Sequence, residues 1–166
     1  MTNPFLMPAA LLSLLLTGAI FGFFYAWICS TMWGLDAADP RTAIAAMQAM
    51  NASVRNIVFA PAFFGTPFVL FATALIARHA GAGQSAALFA LAGAVYFFGG
   101  MVLTMSVNVP MNEALALEAI PESREEAAAI WAAYSPRWQV FNTIRTVLSG
   151  TALLLAGVGL TRLPVT

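Results

Sequence analysis

Four blocks of apolar sequence, at about residues 7–33, 57–77, 84–107 and 137–160, each have the roughly 20-residue length that an α-helix needs to cross a hydrocarbon core. Only 8% of the 166 residues are charged, 61% are hydrophobic, and the mean hydropathy is +0.84. A soluble domain carries roughly one charged residue in four, so water alone is not the solvent here. The blocks use up the chain, and residues 1–166 read as a single transmembrane domain. The expected fold is an all-α, integral membrane four-helix bundle surrounded by membrane lipid, with short amphipathic helices in the two long loops on one side.

Charge and reactive residues exclude several functions. The net charge is zero and lysine is absent, so no polybasic surface exists for nucleic acid. One cysteine, Cys29, and one histidine, His79, form no cluster that would ligate zinc, haem or copper. Cys29 reads as a small apolar residue within a helix. Met1 to Met7 carries no basic residue before the first apolar run, so that segment reads as a retained span and not as a signal peptide.

The connections have their own signals. Gly18 and Gly22 in the first span would admit a close helix neighbour, and Trp27 and Trp33 mark its interfacial end. Asp39 and Pro40 fit an N-cap and first turn, starting an amphipathic helix that runs towards Asn56. At 100° per residue it gathers Arg41, Gln48, Asn51 and Arg55 on one arc and Met47, Met50 and Val54 on another. Pro61 and Pro67 should bend the second span unless neighbours satisfy the carbonyls they free. A short turn with Arg78, His79, Gly81 and Gly83 leads to the third span, which Pro110 is expected to disturb. Ser123 with Glu126 fits a capping box for a helix ending near Trp131 and Tyr134. Ser135 and Pro136 then repeat a cap-plus-proline signal for the fourth span. Both long loops fall on one side, and Thr2 and Thr166 share the other. Arg78 and Arg162 sit directly at span ends there, which favours cytoplasmic termini in a bacterial inner membrane.

Chemistry concentrates at the loop side. Trp138, Asn142 and Arg145 recur at i, i+4 and i+7, one above another on a helix face. An arginine two turns into an apolar segment costs about 2.5 to 3.5 kcal/mol if left in lipid. It should therefore turn to the bundle interior, with snorkelling to the interface as the structural alternative. Gln48, Asn51, Arg55 and Asn56 enter the second span at this level, and Asn108 and Asn112 leave the third. A ligand pocket accounts for more of these groups than helix capping does.

Four runs, "FYAW" (24–27), "MQAMN" (47–51), "NVPMNEAL" (108–115) and "WAAYSPRWQVFNTIR" (131–145), resemble the anthrone oxygenase family, which also takes in many bacterial membrane proteins of unknown function. The resemblance implies a small four-helix membrane protein whose characterised relatives oxidise a polycyclic anthrone to the anthraquinone with molecular oxygen and neither metal nor flavin. Gln48, Asn51, Asn108, Asn112, Trp131, Tyr134, Trp138, Asn142 and Arg145 are the residues that match its motifs.

Cofactor-free oxygenation needs an electron-rich substrate anion held in a dry cavity. Arg145, with Arg55 as second choice, would stabilise the oxyanion. Asn108, Asn112 and Asn142 would donate to phenol or carbonyl oxygens, and Trp138 and Tyr134 would stack on the rings. Gln48, Asn51 and Trp131 complete the substrate-binding set. Glu113 is the carboxylate nearest in sequence to act as base, and a solvated loop position is its simpler reading. The expected ligand is a small, apolar, aromatic molecule; no cofactor is called for. A non-catalytic membrane module that binds such a ligand, or an accessory subunit, remains the alternative, and self-association is left open.

His79 lies in the short turn away from the amide cluster, where a lone histidine is ordinarily solvated. His79→Ala should therefore leave ligand binding and any turnover unchanged; a large loss would put the site on the other side of the membrane.

Overall fold

The computed structural model describes residues 3–164; the expectation concerning Thr2 and Thr166 lies outside the described residues. The elements are α1 (Leu6–Ala26), α2 (Met32–Ala37), α3 (Pro40–Ser53), α4 (Phe59–His79), α5 (Gly83–Tyr96), α6 (Val109–Leu117) and α7 (Arg124–Thr161). π-helical turns join them at Trp27–Thr31, Phe97–Val102 and Thr104–Asn108. Four continuous helical stretches, Leu6–Ala37, Phe59–His79, Gly83–Leu117 and Arg124–Thr161, are long and apolar enough to cross a membrane. No strand occurs among the described residues. α1 packs against α4 and α7, and α5 packs against the same two, so the spans form a closed square of antiparallel neighbours.

The prolines show how such a bundle holds together. Pro67 has no N–H to give to the Phe63 carbonyl four residues earlier. The Tyr96 hydroxyl of α5 donates to that carbonyl at 2.9 Å. The exception foreseen for the bend is thus met by a neighbouring helix. Pro61 lies in the first turn of α4, where no intrahelical N–H bond is missing.

Two expectations fail in the same way. Ser135 and Pro136 do not start a helix, and none ends near Trp131 and Tyr134: α7 runs through both positions with Pro136 inside it. The reason lies on α2. Trp131 Nε1 and the Ser135 hydroxyl donate to Asp36 Oδ1 at 2.9 and 2.7 Å, and Gln139 Nε2 donates to Oδ2 at 2.9 Å. Residues 131, 135 and 139 form one helical stripe, so a single carboxylate splints the helix across its proline. Pro110 likewise sits in the first turn of α6, directly after the π-helical turn Thr104–Asn108, and the third span continues as helix to Leu117.

The remaining loop signals appear as hydrogen bonds. Asp39 accepts from Arg41 N at 3.0 Å, and Ser123 Oγ accepts from Glu126 N at 3.3 Å. Hydrogen bonds from the Arg41 guanidinium and backbone hold the Asp39 carboxyl down at about 2. Trp33 is exposed near the end of the first span, whereas Trp27 is buried and belongs to the interior.

Close approach occurs at other glycines than expected. A Cβ on Gly18 or Gly22 would meet nothing within 4 Å, whereas one on Gly99 would lie 2.4 Å from Leu148 Cδ1 and 2.8 Å from its Cβ. Small residues let backbones pack closely where lipid supplies no hydrophobic drive between helices. Gly99→Ala should therefore destabilise the bundle by about 1 to 3 kcal/mol, the usual cost of overpacking, in equilibrium unfolding from detergent micelles. Gly18→Ala should be neutral in the same assay.

Candidate functional site

A cavity of about 530 Å³ lies near the loop end of the bundle. The chain provides its apolar wall where aromatic residues of three spans converge: Phe24 and Trp27 from the first, Phe59 and Phe63 from α4, and Trp138 from α7. Phe59 stacks on Phe63 with ring centres 5.4 Å apart, and Trp27 meets Trp138 at 5.1 Å. Flat faces of this kind suit a flat apolar ligand.

Arg145 supplies the charge. Its side chain lines the cavity yet is only 5% exposed. Nε and Nη2 donate to Asn142 Oδ1 at 3.0 and 2.9 Å, and Nη1 donates to Thr104 Oγ1 at 3.2 Å. The Thr104 hydroxyl spends its own hydrogen on the Gly100 carbonyl at 2.6 Å, so it can only accept from the arginine. The guanidinium carbon lies 4.3 Å from the Phe24 ring centre and 5.1 Å from that of Trp138. Among the described residues no carboxylate pairs with it. A guanidinium has five N–H donors, and the three bonds above leave two. Arg145 is therefore a desolvated cation without counter-ion, steered by neutral groups towards an aromatic cavity.

A directed chain of amides forms the second polar wall. The indole of Trp138 can only donate, so the atom of Asn112 facing it at 2.8 Å is Oδ1, which also accepts from the Tyr134 hydroxyl at 2.8 Å. Asn112 Nδ2 then donates to Asn51 Oδ1 at 3.0 Å. Asn51 lines the cavity, and its own Nδ2 is buried without a partner. Trp138 fixes the polarity of the whole chain.

The predicted residues fall into three groups. Arg145, Trp138, Asn112, Asn51, Arg55 and Glu113 line the cavity, the last two as an ion pair at 3.2 Å with both side chains more than half exposed. Asn142 and Tyr134 stand behind the wall and orient Arg145 and Asn112; Asn142 is itself anchored by donating to the Phe24 carbonyl at 3.2 Å. Asn108 is fully buried away from the lining, with Nδ2 3.5 Å from the Trp138 carbonyl. The other two lie elsewhere. Gln48 Nε2 donates to the Leu115 and Glu118 carbonyls at 2.8 and 3.0 Å, closing the end of α6, and Trp131 serves Asp36.

Sequence reasoning missed Thr104 and the phenylalanines. Thr104, Asn108 and Asn112 recur every four residues, a spacing that would have exposed Thr104. The phenylalanines gave no signal among 13 in an apolar chain.

The family model described as anthrone oxygenase matches residues 47–155, which contain every polar lining residue named above. The chain belongs to the anthrone oxygenase family. Searches of curated proteins and of solved structures give no match. Within this member of the family, the π-helical turn at Thr104–Asn108 carries the acceptor for Arg145, and the unbroken α7 carries Tyr134, Trp138, Asn142 and Arg145 on one rigid rod.

Asn142→Leu would remove the oxygen that accepts two of the three hydrogen bonds of a buried guanidinium and should destabilise the protein by about 3 kcal/mol or more. Asn142→Asp keeps the acceptor and supplies Arg145 with a counter-ion but loses the donation to the Phe24 carbonyl, so it should fall between wild type and Asn142→Leu in the same unfolding assay.

Proposed function

We propose that this anthrone oxygenase family member holds a flat, oxygen-bearing polycyclic aromatic in the cavity and oxidises it with molecular oxygen, without metal or flavin. Arg145 carries this reading: a buried cation with free N–H donors and no carboxylate neighbour favours a ligand oxygen that bears negative charge. Trp138, Phe59 and Phe63 would flank the rings.

Anthrone itself illustrates the chemistry. Loss of a ring-methylene proton gives an enolate whose oxygen pairs with Arg145, raising electron density on the carbon. That carbon gives an electron to oxygen, the carbon–oxygen bond forms, and the resulting hydroperoxide loses water. The methylene loses two hydrogens and becomes a carbonyl; one oxygen atom stays in the anthraquinone and the other leaves as water. Asn142 and Thr104 hold the guanidinium in place beforehand, so little reorganisation accompanies charge development. Glu113, the carboxylate on the rim paired with Arg55 at 3.2 Å, would accept the proton. Both chain ends would lie in the cytoplasm of a bacterial inner membrane, on the side of Arg78 and Arg162.

A second reading comes from the same rim. Glu113 is exposed and already paired, so the buried wall contains amides, aromatics and one cation but no carboxylate. Such a wall suits a module that binds an aromatic anion without turning it over.

With anthrone and protein reconstituted in liposomes, oxygen uptake and anthraquinone absorbance should rise together. Arg145→Ala should lower turnover by about 100-fold or more, as for removal of an oxyanion donor, while thermal unfolding stays cooperative. Full activity in Arg145→Ala would overturn the role of the cation, and binding of anthrone without turnover by the wild type would select the second reading.

A further inference from the structure

We infer that ligand reaches the Arg145 cavity sideways from the acyl-chain region of the bilayer, through a gap between the second and third spans rimmed by Ile57, Ala60, Phe64, Met105 and Val109. The two sides of the cavity differ in how they are tied. Towards the loops, Arg55 bonds Glu113 at 3.2 Å and Asn51 bonds Asn112 at 3.0 Å, both joining the segment before α4 to α6. Gln48 reinforces the same seam through two carbonyls at the end of α6.

Between α4 and the third span the ties stop at the depth of Phe63, where Tyr96 donates to its carbonyl. Nearer the cavity mouth, no side-chain hydrogen bond joins these two spans among the described residues. The helices also diverge there. α4 packs along α5 and touches Phe97–Val102, but the third span then passes through its second π-helical turn and leaves α4 behind.

The residues on this open side face outwards while lining the cavity. Ile57 is 89% exposed, and Phe64 and Met105 are each 46% exposed. α4 has 21 residues, about 30 Å of helix, which is the thickness of the hydrocarbon core. Its first turns therefore sit among acyl chains, and the exposed apolar rim meets lipid. A polycyclic aromatic concentrates in that layer, so a lateral opening spares it a crossing through water. This holds whether the ligand is then oxidised or only bound.

The test needs no ligand. Trp27 and Trp138 line the cavity, and the other two tryptophans can be removed as Trp33→Phe and Trp131→Phe. In liposomes of phosphatidylcholine brominated along its acyl chains, the remaining fluorescence should be quenched well beyond its loss to aqueous acrylamide. Ala60→Phe, or Met105→Phe if the first variant does not fold, should reduce the lipid quenching by about twofold or more, because one added ring fills the space of an acyl chain. Acrylamide quenching equal to or above that by brominated lipid, or lipid quenching unchanged by both plugs, would overturn the lateral route. Failure of anthrone to bind or react would bear on the proposed chemistry alone.

Discussion

Hydrocarbon offers no hydrogen-bond partner, so most polar groups carried into this bundle are met by another part of the chain. That constraint explains details that local sequence rules misjudge. Pro67 frees a carbonyl and Tyr96, from the next span, reaches across to it. Pro136 interrupts the ladder of α7, and Asp36 ties the turns on either side together. Ser13 and Thr73 share a hydrogen bond at 2.9 Å between the first and second spans. In water the carbonyl freed by Pro67 would have had a solvent alternative.

The same constraint makes the cavity informative. A buried guanidinium ordinarily recruits a carboxylate, yet here it is held by an asparagine, a threonine and two aromatic faces. Neutral partners fix its position without cancelling its charge. The amide chain works in a comparable way: the donor-only indole of Trp138 orients Asn112, which orients Asn51 and leaves its Nδ2 buried without a partner. Cation and amide are both set by residues one layer back from the ligand space. Substitutions at Asn142 or Tyr134 should consequently be felt in the cavity although neither side chain lines it.

Helix geometry connects site and access. The π-helical turns of the third span hold Thr104, the acceptor for Arg145, and follow the stretch that packs on α4. One departure from regular α-helix thus completes the polar wall and opens the side facing lipid. Local π-helix carries less favourable backbone geometry and often marks functional positions, in keeping with its place here.

Much of the fold was legible in the residues themselves. The length and hydropathy of four blocks determine four spans, because a membrane leaves a chain of this composition no other regular structure. Periodicity alone put Trp138, Asn142 and Arg145 on one face, and the cost of charge in lipid turned that face inward. The helix caps at Asp39 and Ser123 were also readable, since a cap is a contact over two or three residues. What sequence could not decide was every contact made over tens of residues. Whether Pro136 ends a helix depends on Asp36, about 100 positions away in the chain; whether Gly18 or Gly99 packs closely depends on which neighbour faces it. Trp131 and Gln48 share motifs with cavity residues but point to other partners. Which asparagines line the cavity and which only brace it was settled by hydrogen-bond direction between spans, a property that exists only once the helices have packed.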